Sequence, residues 1–203
     1  MQTLIRGLLR GTTTEKTFGA SALGGIHASQ NASRFEEAVD RGNVFVVANQ
    51  STVTTQAGLS ATTPALTIAN RVGSGKIVKL WFVACTSLVA AGAGAAIYGC
   101  LGGYSATAVV ETTAATVRNA KNGDATAPTG IACLAVATLP AAPVAVHHLG
   151  AQTTAAITTS PVGAHYERWL DGSLWIPAGY NYSIQTSTAS TLFCEYIFEV
   201  QDA

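Results

Sequence analysis

Charged side chains are scarce in this chain. Asp, Glu, Lys and Arg make up 11% of its 203 residues, where an ordinary soluble domain carries about 25%. Residues 80–110 hold none, and neither do residues 125–166 with histidine counted neutral. Ala, Thr, Ser and Gly fill those stretches. A monomer normally covers itself with mixed charge to stay soluble, so much of this surface is expected to face other protein subunits. The 11 basic and 11 acidic residues cancel, which leaves no electrostatic footprint for nucleic acid. Cysteine is also limited. Cys85, Cys100, Cys133 and Cys194 show no C-x-x-C spacing, so no zinc site is legible, and their apolar surroundings suit buried reduced thiols. One or two disulfides stay open on this reading.

The chemistry-bearing patterns fail one at a time. "NRVGSGKIVKLW" ends a glycine turn in lysine, as a phosphate loop does, but Asn70 stands where the first glycine belongs and Ile77 replaces the metal-binding hydroxyl. The flanking "ALTIAN" and "KIVKLWFVAC" read as strands, making the whole a hairpin. His147 and His148 are adjacent, so on a strand they point to opposite faces and do not chelate together. No G-x-S-x-G elbow is present. Carboxylates pair only as Glu36–Glu37 and as Glu195 and Glu199 on one strand face. The reading is a non-enzyme with no metal and no cofactor. "MQTLIRGLLRG" is broken by Arg6, Gly7 and Arg10, unlike a signal peptide. The uncharged stretch "LWFVACTSLVAAGAGAAIYGCL" is long enough to cross a bilayer. Its central "AGAG" and its Thr86 and Ser87 favour two buried strands joined at Ala91–Gly94, so no membrane partner is expected.

What is present is strand after strand. Segments near 44–53, 65–70, 76–89, 95–101, 107–118, 131–139, 144–149, 164–169, 173–176, 180–187 and 191–200 are β-rich and separated by turn residues. "TLFCEYIFEV" alternates: Leu192, Cys194, Tyr196, Phe198 and Val200 face one way, and Phe193, Glu195, Ile197 and Glu199 the other. That second face is half apolar and half acidic, as suits a strand whose outer side meets a neighbour. In "WIPAGYNYSI", Pro177 fits the second position of a turn and Gly179 its last. One short helix is marked out by "SRFEEAVDRG", with Ser33 as N-cap, Glu36 completing a capping box and Gly42 ending it. The fold class is therefore all-β, a jelly-roll-like antiparallel β-sandwich over residues 43–203. Residues 1–42 form an extended N-terminal arm and the helix.

Two groups of residues are candidates for contact. Tyr166, Trp169, Trp175, Tyr180 and Tyr182, with Glu167, Arg168 and Asp171 nearby, form either core and interface anchors or a sugar-stacking surface. In the arm, Leu4, Ile5, Leu8 and Leu9 are apolar groups for burial on another subunit, and Arg6 and Arg10 would pair with its carboxylates.

The succession "RFEEAVDRGNVFVVANQ", "LTIANRVGSGKIVKLWFVA", "ATLPAAPVAVHHLG", "DGSLWIPAGYNYSI" and "CEYIFEV" resembles a group of uncharacterised tailed-bacteriophage proteins across residues 34–200. The resemblance implies a virion component assembled in the host cytoplasm: a β-sandwich, often trimeric, that decorates heads or sits on spikes and fibres. It carries over no functional residue. The expectation is a head-decoration (cement) protein that forms a homo-oligomer, a trimer by preference. The arm would anchor it to the major capsid protein or other virion subunits. A receptor-binding or glycan-binding spike module is the alternative.

Overall fold

The computed structural model describes residues 33–87, 95–152 and 164–203, and the backbone of two short strands before them. The chain divides into two compact units, Met1–Glu37 and Ala38–Ala203. In the first, β1 (Ile5–Leu8) and β2 (Glu15–Phe18) pair antiparallel, Ile5 opposite Phe18 and Leu8 opposite Glu15. Three of the expected anchor positions, Ile5, Arg6 and Leu8, therefore lie on β1, while Leu4, Leu9 and Arg10 fall outside the described residues.

The helix α1 (Arg34–Asp40) starts as its sequence dictates. Glu36 N–H donates to Ser33 Oγ at 3.2 Å and Ser33 N–H donates to Glu36 Oε2 at 2.6 Å, the reciprocal capping box. It ends at Gly42, whose φ of 74° suits a residue without Cβ.

The second unit is an antiparallel sandwich. Its strands are β3 (Val44–Ala48), β4 (Val53–Thr54), β5 (Thr67–Asn70), β6 (Lys76–Ser87), β7 (Ala95–Gly102), β8 (Val110–Ala114) and β9 (Val117–Asn119). The chain continues with β10 (Ile131–Thr138), β11 (Val144–Gln152), β12 (Ala164–Ile176), β13 (Asn181–Thr186) and β14 (Thr191–Asp202). The first sheet runs β11-β7-β13-β5-β10-β8 and the second β12-β6-β14-β3-β9, with β4 against the start of β14. The pairs β5·β13, β6·β12, β7·β11 and β8·β10 nest one inside the next. Such nesting is a long hairpin wrapped across two layers, which gives the jelly-roll character.

Between the layers lies a core that includes Leu66, Ile68, Leu80, Val83, Ile97, Ile176, Tyr182, Ile184, Leu192, Tyr196 and Phe198, all fully buried. The alternation of β14 is observed as read, with Leu192, Cys194, Tyr196, Phe198 and Val200 all inward. Each large aliphatic or aromatic side chain so placed contributes roughly 1.5–3 kcal/mol. Tyr196 keeps its hydroxyl satisfied by donating to Leu66 O at 2.5 Å.

Four local expectations are corrected. The turn at Arg71–Gly75 does not close a hairpin, because β5 belongs to the first sheet and β6 to the second. The chain arches between layers instead, braced by Asn70, whose Nδ2 donates to Lys76 O at 2.8 Å and to Ile176 O at 2.9 Å. Ser74 Oγ donates back to Asn70 Oδ1 at 2.5 Å. The turn after β12 is an arch too, and it sits one residue later than read. Tyr180 N–H donates to Pro177 O at 3.1 Å, which puts Gly179, with φ 85°, at the third position where a type II turn needs a positive φ. The single strand read over 107–118 is two, β8 in the first sheet and β9 in the second. Conversely, the segments read as 164–169 and 173–176 are one strand with a bulge between Trp169 and Leu174, where Asp171 and Gly172 take positive φ. The joint read at Ala91–Gly94 lies outside the described residues.

Candidate functional site

The second sheet turns one face to the core and the other outward, and the outward face carries the candidate surface. Inward and outward residues alternate along β14, so Phe193, Glu195 and Ile197 look out, with Val46 and Ala48 beside them on β3. Phe82 and Thr86 continue this face on β6, and Trp169 lies opposite Phe82 on β12. A groove of about 430 Å³ bordered by Val46, Ala48, Arg118, Glu195 and Ile197 crosses it. A second of about 280 Å³, bordered by Ala84, Thr86, His165, Phe193 and Glu195, adjoins the first at Ala48 and Glu195. Lys79 and Glu199 lie nearly buried on this face. Glu195, Arg118 and Glu167 are its exposed charges, and His165 Nε2 lies 3.5 Å from Glu167.

β12 closes one edge of the sheet, and among the described residues it pairs with β6 alone. Two large apolar side chains stand on it half uncovered: Trp169 is 55% exposed and Trp175 51%. Both are held in place. Trp169 packs on Phe82 with ring centroids 4.8 Å apart. Trp175 donates its indole N–H to Gly172 O at 2.9 Å and lies under the Lys79 ammonium at 4.6 Å. Across the adjoining side of the sandwich runs β11, the edge of the first sheet, with Val144 and Val146 exposed. Tyr166 Oη donates to Ala151 O at 2.7 Å and Arg168 reaches His148 O at 3.5 Å, which ties the two edge strands together.

The five aromatics singled out from the sequence therefore do not share one surface. Trp169 and Trp175 face outward. Tyr166 lies over Gly150, where a Cβ would stand 2.1 Å from its ring. Tyr180 is half-buried against Tyr104. Tyr182 is fully buried, in edge-on contact with Tyr196. Its place on a sugar-stacking face is corrected, because β13 is covered on both sides and its inward positions belong to the core.

The remaining polar groups serve the fold. His147 and His148 point to opposite faces, His148 edge-on to Tyr98 and His147 Nε2 3.0 Å from Tyr182 Oη. Burial first, then the electrostatic influence of Arg168 and the neighbouring His148 ring, lower the His147 pKa to about 4 and hold it neutral. All four cysteines are free and buried, and burial lifts Cys85, Cys100 and Cys133 to about 12. Lys76, the lysine of the glycine turn, is paired with Asp202 at 2.5 Å. Among the described residues no cluster of three or more His, Cys, Asp or Glu side chains is placed to hold a metal ion, and no helix is long and apolar enough to cross a membrane.

The exposed valines of β11 escaped sequence reading, because period-2 alternation marks a face without saying whether a further strand covers it. No protein-family model matches this chain, and no curated protein or solved structure matches it significantly.

Proposed function

We propose that this protein is a structural subunit that assembles with copies of itself through the outer face of the second sheet and its β12 edge. The observation that carries the reading is the pair of half-exposed tryptophans on an edge strand, on the same sheet face as the two grooves. Monomers seldom leave such groups open, and aromatic side chains are favoured anchors where proteins meet. An unpaired strand edge is itself a template for pairing. In the setting its sequence resembles, the chain is a head-decoration (cement) protein of a tailed bacteriophage, a trimer in which residues 1–42 reach the capsid. The sugar-binding alternative has less support, since its five aromatics are dispersed.

The magnitudes say what such an interface must cover. The open halves of the two indoles come to roughly 200 Å², or about 5 kcal/mol at about 25 cal/mol per Å². Association costs about 4–15 kcal/mol in lost freedom. Two tryptophans alone do not hold a complex, so the grooves and Val144 and Val146 must be covered with them.

The test is sedimentation equilibrium of the native chain beside Trp169→Thr/Trp175→Thr. The native protein is expected at three times the 20.8 kDa of one chain. The variant is expected to dissociate while its circular dichroism stays unchanged. A variant that assembles as tightly as the native protein overturns the reading.

A further inference from the structure

Two of the four buried cysteines stand directly opposite one another. Cys85 on β6 and Cys194 on β14 are register partners, in a stretch that runs without a bulge from Leu192 opposite Ser87 to Ile197 opposite Phe82. Both side chains point into the core between the sheets, at 1% and 3% exposure. Cys100 stands opposite Ala145 and Ser183, and Cys133 opposite Ile68, so neither of these faces another cysteine along its strand.

The backbone decides what kind of pair this is. Cys194 N–H donates to Asn49 Oδ1 at 2.5 Å, and Cys194 O accepts from Asn49 N–H at 3.2 Å. In an antiparallel strand the N–H and C=O of one residue point to the same neighbour. Both groups of Cys194 are thus turned to the β3 side, and neither is directed at β6. Cys85 and Cys194 form a non-hydrogen-bonded pair, the kind whose Cα atoms come closest, at about 4.5 Å. A disulfide joins Cα atoms about 4.4–6.8 Å apart, so the two strands already stand at bonding distance.

We infer that Cys85 and Cys194 are the site of a cross-strand disulfide, with a small disulfide, glutathione disulfide by class, as the oxidant. One cysteine thiolate attacks the small disulfide and expels the first glutathione thiolate. The second cysteine thiolate attacks the protein sulfur of the mixed disulfide and expels the other. Two protein thiols are oxidised to one disulfide, one small disulfide is reduced to two thiols, and the protons pass to the leaving thiolates. Burial lifts the Cys85 pKa to about 12 and raises that of Cys194 well above its ordinary value, so exchange proceeds when β6 and β14 part. The bond closes a loop that takes in β7 to β13 and so constrains the unfolded chain. Both sulfurs lie inside the sandwich, and the inference does not rest on the assembly surface.

The experiment holds the full chain at fixed reduced glutathione and rising glutathione disulfide, in urea below the unfolding midpoint so that opening admits the oxidant. A parallel series holds the chain fully unfolded. Remaining thiols are blocked with iodoacetamide, and cross-linked peptides are identified by mass spectrometry. The native series is expected to join Cys85 to Cys194 and to leave Cys100 and Cys133 alkylated. Half-conversion is expected at a glutathione disulfide concentration at least about thirtyfold lower than for the same pair in the unfolded series, the factor by which the bond favours the fold. Alkylation of all four thiols throughout the native series overturns the inference, as does a cross-link at Cys100 or Cys133, or equal half-conversion in the two series.

Discussion

Replacing Gly99 by alanine probes the packing that joins β7, β11 and β13. A Cβ at this position would stand 2.2 Å from His147 Nε2 and 2.3 Å from Tyr182 Oη, far inside van der Waals contact. Tyr182 is fully buried and cannot retreat, so the half-buried His147 ring must move. Overpacking of this kind costs about 1–3 kcal/mol. Moving the ring also breaks its 3.0 Å hydrogen bond to Tyr182 and strands a buried hydroxyl, for about 1–3 kcal/mol more. Alanine returns somewhat under 1 kcal/mol by restricting the unfolded chain. The expected net loss is about 1–5 kcal/mol, read by urea unfolding as a lower midpoint with an unchanged slope. The decisive comparison repeats Gly99→Ala in a His147→Ala/Tyr182→Phe background, where the obstructing atoms are gone. There the loss should shrink by more than about 1.5 kcal/mol, a coupling typical of residues in contact. Additivity within about 0.5 kcal/mol would show that the two rings do not lie against Gly99, and would refute the reasoning.

Two further outcomes are expected of the fold. Asn70→Ala removes the amide that bridges Lys76 O and Ile176 O across two arches, so thermal unfolding should show a loss of about 2–4 kcal/mol; a loss under 0.5 kcal/mol would mean the arches hold without it. His147 has its folded pKa lowered from 6.5 to about 4, so between those values the unfolded chain binds the extra proton. Its contribution is complete above pH 6.5 and is lost as pH falls toward 4. Native protein should therefore lose more stability over that window than His147→Asn, and equal slopes would exclude this histidine as the cause.

How far the sequence speaks depends on the range of the interaction. The cap of α1 was legible because Ser33 and Glu36 are three residues apart and answer only to each other. The two faces of β14 were legible because alternation is local. Sheet membership was not: nothing in "ALTIANRVGSGKIV" separates a hairpin from an arch, and Asn70 decides it by reaching Ile176, a residue distant in sequence. The aromatic group failed for the same reason. Trp175 and Tyr182 are equally aromatic in sequence, yet Tyr182 points into the core between the sheets while Trp175 stands on the outward face of the second sheet.

Amide hydrogen exchange along β12 bears most directly on whether copies of this chain meet at that edge. One side of the strand is bonded to β6 and is protected in any state. Amides directed away from β6 are expected to exchange slowly in concentrated native protein. They should become fast on dilution or in Trp169→Thr/Trp175→Thr. Fast exchange of those amides at every concentration, from a particle with the 20.8 kDa mass of a single chain, would contradict the account.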